Sequence, residues 1–253
     1  MPTTRRFSLS LVITLISLAA VQAQVLGDLK LDWSDTNNPN GAWTYREGNN
    51  ALPAVASWQS ILGGWSSPQP GWARSENGTN RIPFIFRSNG TETFTHDWQQ
   101  GDIVLHSRDD GNGVGNGEGN IIWTSTITGF IDVTGNTWLG RDIGRGNTWS
   151  IWKNNTQLTS GVITNGDVFN RASPFDFAAG SGGASVLTSI SVVPGDTIMY
   201  QLVRTSASGE FAGINMTITA AVPEPATWAM ISLVAVAGCA AGWNSRRRRT
   251  VRS

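Results

Sequence analysis

The chain has 253 residues and carries 18 Lys and Arg against 18 Asp and Glu, but this neutrality is created by its ends. Seven arginines lie within residues 1–6 and 246–253, so residues 24–222 hold eleven cations against seventeen carboxylates, a net charge of −6. An acidic region of this kind repels phosphates and argues against nucleic acid as a partner. With 29 Gly, 12 Trp and only 14% charged residues, the chain is neither a coiled coil nor a charge-rich disordered segment.

Residues 1–23 read as a secretory signal peptide. Arg5 and Arg6 form the positive start, residues 9–20 the apolar stretch, and Val21-Gln22-Ala23 a small-residue cleavage site before Gln24. The apolar stretch is shorter than the roughly 20 residues that a membrane span prefers.

Residues 24–221 form one exported domain, large enough for a sizeable core. Its opening part, residues 33–80, is rich in Asn, Gly, Pro, Ser and Trp. Weak strand candidates stand at residues 42–46 and 82–87, and Leu52, Val55, Ala56, Gln59 and Leu62 have the spacing of a short helix. Trp65 and Trp72 flank Ser66-Ser67-Pro68-Gln69-Pro70-Gly71 and are expected to be loop aromatics able to stack on sugar rings. The other tryptophans of the region, Trp43, Trp58, Trp98, Trp123, Trp138, Trp149 and Trp152, are divided between core and surface; Trp149 and Trp152, three positions apart, should face opposite sides of a strand.

The second half alternates with period two, as strands do. Ile121, Trp123, Ser125 and Ile127 share one face, and the same holds for Val186, Thr188, Ile190 and Val192, for Ile198, Tyr200 and Leu202, and for Ile214, Met216 and Ile218. Gly101-Asp102, Asn165-Gly166-Asp167 and Pro194-Gly195-Asp196 read as turns feeding strands. The expected fold class is all-β: an antiparallel β-sandwich, jelly-roll-like, with a signal helix before it and a single transmembrane helix after it.

Reactive constellations are scarce. His96 and His106 are the two histidines, and no nucleophile elbow, zinc-binding His-Glu-x-x-His or phosphate-binding glycine loop occurs. The strongest metal candidate is the run of residues 109–120, where Asp109, Asp110 and Asn112 offer oxygens to calcium among glycines. Val114 breaks the EF-hand pattern, so a hairpin loop is the favoured reading; calcium is not, and no cofactor is expected.

At the C-terminus, Val222-Pro223-Glu224-Pro225 precedes an uncharged, mostly apolar stretch at residues 226–245 and then Arg246, Arg247, Arg248 and Arg249. The stretch is long enough to span a bilayer, Trp228 and Trp243 stand near its ends, and the arginines should hold the tail cytoplasmic. The single cysteine, Cys239, lies inside that stretch, so no disulfide staples the exported region. This order of motif, span and basic tail resembles the PEP-CTERM sorting signal, residues 222–253, also described as an ice-binding-protein C-terminal motif. The resemblance implies passage through the secretion machinery, then recognition of Pro223, Glu224 and Pro225 by an exosortase-type membrane transpeptidase. The helix would be removed and the protein released to the surface of a bacterium that makes extracellular polysaccharide. It carries no implication of antifreeze activity.

The exported domain is similar, more faintly, to jelly-roll modules that recur in PEP-CTERM proteins. The resemblance rests on Ala42-Trp43-Thr44-Tyr45, Gly101-Asp102-Ile103-Val104-Leu105-His106, Ile122-Trp123-Thr124, Trp149-Ser150-Ile151-Trp152 and Val193-Pro194-Gly195-Asp196. The functional expectation is a non-catalytic cell-surface or matrix protein that associates with extracellular polysaccharide through Trp65 and Trp72. The alternatives are a jelly-roll polysaccharide hydrolase or lyase and a purely structural coat protein.

Overall fold

The computed structural model describes residues 23–58, 64–76, 82–108 and 117–222. The signal peptide before Ala23, the sorting motif beyond Val222 with its arginine tail, and Asp109, Asp110 and Asn112 lie outside the described residues.

Among the described residues, fifteen strands carry the fold. β1 (Val25–Asp28), β2 (Trp43–Glu47), β3 (Asn50–Ala51), β4 (Ala54–Trp58), β5 (Gln69–Trp72), β6 (Phe84–Arg87) and β7 (Ile103–His106) come from the first part of the chain. The long ladders follow: β8 (Gly119–Thr124), β9 (Gly129–Leu139), β10 (Gly146–Lys153), β11 (Thr156–Thr164), β12 (Phe175–Asp176), β13 (Ile190–Val192), β14 (Thr197–Arg204) and β15 (Phe211–Ala220). They form two antiparallel sheets. The first runs β12-β9-β15-β7-β6-β5-β4, with β1 added to β15 and β13 to β9; the second runs β11-β10-β14-β8-β2-β3. The described residues are therefore all-β, with an arrangement compatible with a β-sandwich.

The alternating residues explain why the sheets face each other. Trp43, Tyr45, Ile121, Trp123, Trp149, Ile151, Ile198, Tyr200 and Leu202 point inward from the second sheet and meet Ile85, Ile103, Leu105, Ile131, Ile214 and Ile218 from the first. Thr137 on β9 and Tyr200 on β14 join hydroxyl to hydroxyl across this core at 2.9 Å, and burial pushes the Tyr200 phenol well above its ordinary pKa. Trp149 is fully buried, whereas Trp152 is only partly so and donates its Nε1–H to the Ser150 hydroxyl on the outer face, as their spacing predicts.

The first sheet buries both faces. Phe84, Phe86, Val104, Trp138 and Phe211 turn away from the main core and build a second apolar cluster with Val55, Trp58, Ala73, Ile82 and Trp98, against which Phe94 and Trp65 pack. This accounts for the nearly unbroken apolar runs of β6 and β7. Close approach is bought with glycine: a Cβ on Gly213 would lie 2.1 Å from the Trp138 indole, and one on Gly71 would lie 2.3 Å from the Phe84 ring.

Two expectations are corrected. Of the expected helix, Val55 and Ala56 lie in strand β4, Ala54–Trp58, while Gln59 and Leu62 lie outside the described residues. Val186 lies in a short 3-10 helix, Ala184–Leu187, so strand β13 begins only at Ile190.

Candidate functional site

Three turns share one construction. In Gln99-Gln100-Gly101-Asp102, Thr164-Asn165-Gly166-Asp167 and Val193-Pro194-Gly195-Asp196, the Asp N–H bonds to the carbonyl three residues earlier. The Asp carboxylate returns the bond by accepting that same residue's N–H. Gly101, Gly166 and Gly195 adopt positive φ, which glycine tolerates without cost. The Gly-Asp signals read from the sequence are thus turns locked by their own aspartates.

Asp102 does more than lock its turn. It is nearly fully buried and receives Lys30 Nζ at 3.1 Å and Arg171 Nε at 2.6 Å. Burial alone would raise its carboxyl; the bonds from Arg171, the Gln99 N–H and Lys30 outweigh that and hold it below its ordinary value. It ties three distant segments at one end of the sheets.

Beside this hub, at the C-terminal end of β9, opens a cleft of about 250 Å³ lined by Thr95, His96, Asp97, Leu139, Gly140, Arg141, Asp142, Thr164, Gly166, Asp167, Phe169 and Asn170. Arg141 and His96 both rest on aromatic rings. The Arg141 guanidinium lies 4.5 Å from the centroid of Phe94, and the His96 ring stacks on Trp98 at 4.3 Å and 22°. Arg141 Nε is buried and has no hydrogen-bond partner among the described residues.

The carboxylates of the cleft are already engaged with backbone donors. Asp97 accepts the Arg171 N–H at 2.6 Å, Asp142 accepts the Gly166 N–H at 3.0 Å, and Asp167 accepts those of Thr164 and Phe169. Such carboxylates shape loops and present their remaining lone pairs outward as acceptors. A broader, shallower groove of about 440 Å³ lies along Lys30, Leu31, Asp35, Pro70, Arg87, Ser88, Asn89, Gln100 and Gly101. Among the described residues, no group of three or more His, Cys, Asp or Glu is arranged to hold a metal ion.

The expected aromatic platform is not formed. Trp72 lies in β5 at 1% exposure, stacked on Tyr45 across the core, with its Nε1–H donated to the Ser34 carbonyl. Trp65 is partly buried and edge-on to Trp58 and Phe94, with ring centroids 5.0 and 5.1 Å away. Both rings are occupied by neighbouring rings, and the pair does not offer a stacking surface. The residues that do converge, His96, Arg141, Asp142, Asp167 and Asn170, come from three loops whose proximity only the fold creates. Their one sequence signal was the clustering of Asp with Gly.

No family model matches the chain, and no curated protein does. A solved structure, the apo form of a cyclase from Fischerella sp., is similar over 82% of this chain and 93% of its own at 11% identity. Its TM-score of 0.30 is too low to support an argument about fold or activity.

Proposed function

We propose that the chain is an exported, non-catalytic surface or extracellular-matrix protein, delivered through the secretion machinery, sorted by an exosortase-type transpeptidase, and associated with extracellular polysaccharide through a jelly-roll-like β-sandwich. The order of signal, domain, Pro-Glu-Pro motif, apolar stretch and arginine tail supports the export half. The cleft at His96 and Arg141 supports the binding half, and the observation that carries it is the Arg141 side chain. Its guanidinium is held on Phe94 in the wall of the cleft, beside carboxylates fixed by backbone bonds, a preplaced cation and preplaced acceptors suited to sugar hydroxyls. Carboxylates committed to turn-building are poorly placed to exchange protons with a substrate, which favours binding over hydrolysis or elimination.

Affinity electrophoresis through gels containing the producer's exopolysaccharide tests this reading. The wild type should be retarded, Arg141→Ala should bind about tenfold more weakly for the loss of a charge-assisted bond worth about 1.5 kcal/mol, and Trp65→Ala should bind like wild type. A wild type that runs unretarded would remove polysaccharide binding. That result would leave the structural-coat reading, which the packing of Trp65 and Trp72 into apolar clusters favours.

A further inference from the structure

The two ends of the described chain leave the fold together. The Ala220 N–H bonds to the Gln24 carbonyl at 2.8 Å, and the Ala221 N–H bonds to the Phe130 carbonyl at 2.9 Å. Around this corner four large apolar side chains stand exposed: Phe130 at 58%, Val25 at 56%, Val193 at 49% and Val222 at 38%. The strand register brings them to one edge. Ile131, paired with both Ile190 and Ala220, points into the core, so Phe130 beside it points outward in the row of Ser191. Val25 lies opposite Thr219 on the far side of β15, Val193 extends β13, and Val222 lies two residues past the end of β15.

Charge is sparse here and already engaged. Lys153 pairs with Asp196 at 3.4 Å, and Asp132 accepts the Ser189 N–H at 2.7 Å. The cleft lies at the opposite end of β9, eleven residues or roughly 33 Å away.

Only three residues, Pro223, Glu224 and Pro225, separate Val222 from the start of the apolar stretch at Ala226. A chain that short reaches at most about 14 Å, about twice the thickness of one polar layer of a bilayer, so it holds the corner close to the membrane surface. We propose that this corner is a membrane-facing surface: while the protein is anchored, Phe130, Val25, Val193 and Val222 rest in the headgroup layer of the outer leaflet, and the cleft points away from it. The inference rests on the reading of residues 226–245 as a span. Apolar side chains with little free charge suit that boundary, and the short tether keeps the corner within reach of it.

The test uses the full chain with Cys239→Ser, carrying Phe130→Cys or, at the cleft end, Val168→Cys, each labelled with an environment-sensitive dye. The protein is reconstituted into phosphatidylethanolamine–phosphatidylglycerol vesicles. The expected result is flotation with the vesicles, a blue-shifted emission quenched by headgroup-proximal spin-labelled lipid at position 130, and a water-like, unquenched emission at position 168. Flotation with both labels in water would overturn the membrane-facing surface and leave the span standing. Failure to float would overturn both. A blue shift at position 130 that appears without vesicles and grows with protein concentration would assign the corner to a second copy of the chain and overturn the lipid assignment.

Discussion

Trp72→Ala is expected to destabilise the domain by about 3–5 kcal/mol, the largest effect of any single tryptophan among those once expected to be exposed. The ring is 1% exposed on β5 of the first sheet and stacks at 5.4 Å and 16° on Tyr45 of the second, which in turn meets Trp33 at 4.8 Å. Removing it opens a cavity between the sheets and leaves the Ser34 carbonyl without its indole donor. For a domain of this size each kcal/mol moves the melting temperature by roughly 2–4 °C, so thermal denaturation should fall by about 10 °C. Trp65→Ala, at a partly buried position, should cost less. A Trp72→Ala protein that melts within about 2 °C of wild type would contradict the assignment of this ring to the core.

Asp102 governs the response to acid. Its folded carboxyl is held below the ordinary value by Arg171, the Gln99 N–H and Lys30, so the unfolded chain takes up the proton first. The stabilisation is therefore fully present above the unfolded value of about 3.9 and is lost as the pH falls through the lower, folded value. Asp102→Ala should lower stability at pH 7 by about 2 kcal/mol, less than for a fully buried pair because Lys30 and Arg171 are partly exposed. Urea denaturation of wild type and variant across pH 7 to 2.5 should show the two curves converging in acid. A gap that stays constant over that range would show that Asp102 acts through packing alone.

The sheets were legible where large apolar residues recur at every second position of a strand. β8, β14 and β15 follow the alternation of Ile121 and Trp123, of Ile198, Tyr200 and Leu202, and of Ile214, Met216 and Ile218. The Gly-Asp turns were legible too, because glycine at positive φ followed by a short acceptor is a local device. β4 was not: Leu52 and Val55, three apart, are both buried and imitate a helical spacing, although Leu52 lies before the strand, whose pairing with β5 shifts register between Val55 and Trp58. β5 was hidden by Pro70 and Gly71, residues that ordinarily mark loops. Gly71 is there because the Phe84 ring crosses it, a contact made by a later strand. The same limit applies to the cleft, since nothing local connects His96 with Arg141 or Asn170.

Intact-mass analysis of the protein extracted from the surface of its producer tests the central claim, export with sorting at both ends. The account predicts a mature chain that begins near Gln24 and ends at or close to the Pro-Glu-Pro motif of residues 223–225, without the apolar stretch of residues 226–245 and without Arg246, Arg247, Arg248 and Arg249. A surface form that retains Trp243 and the arginine cluster would contradict exosortase processing and make the C-terminal segment a permanent anchor.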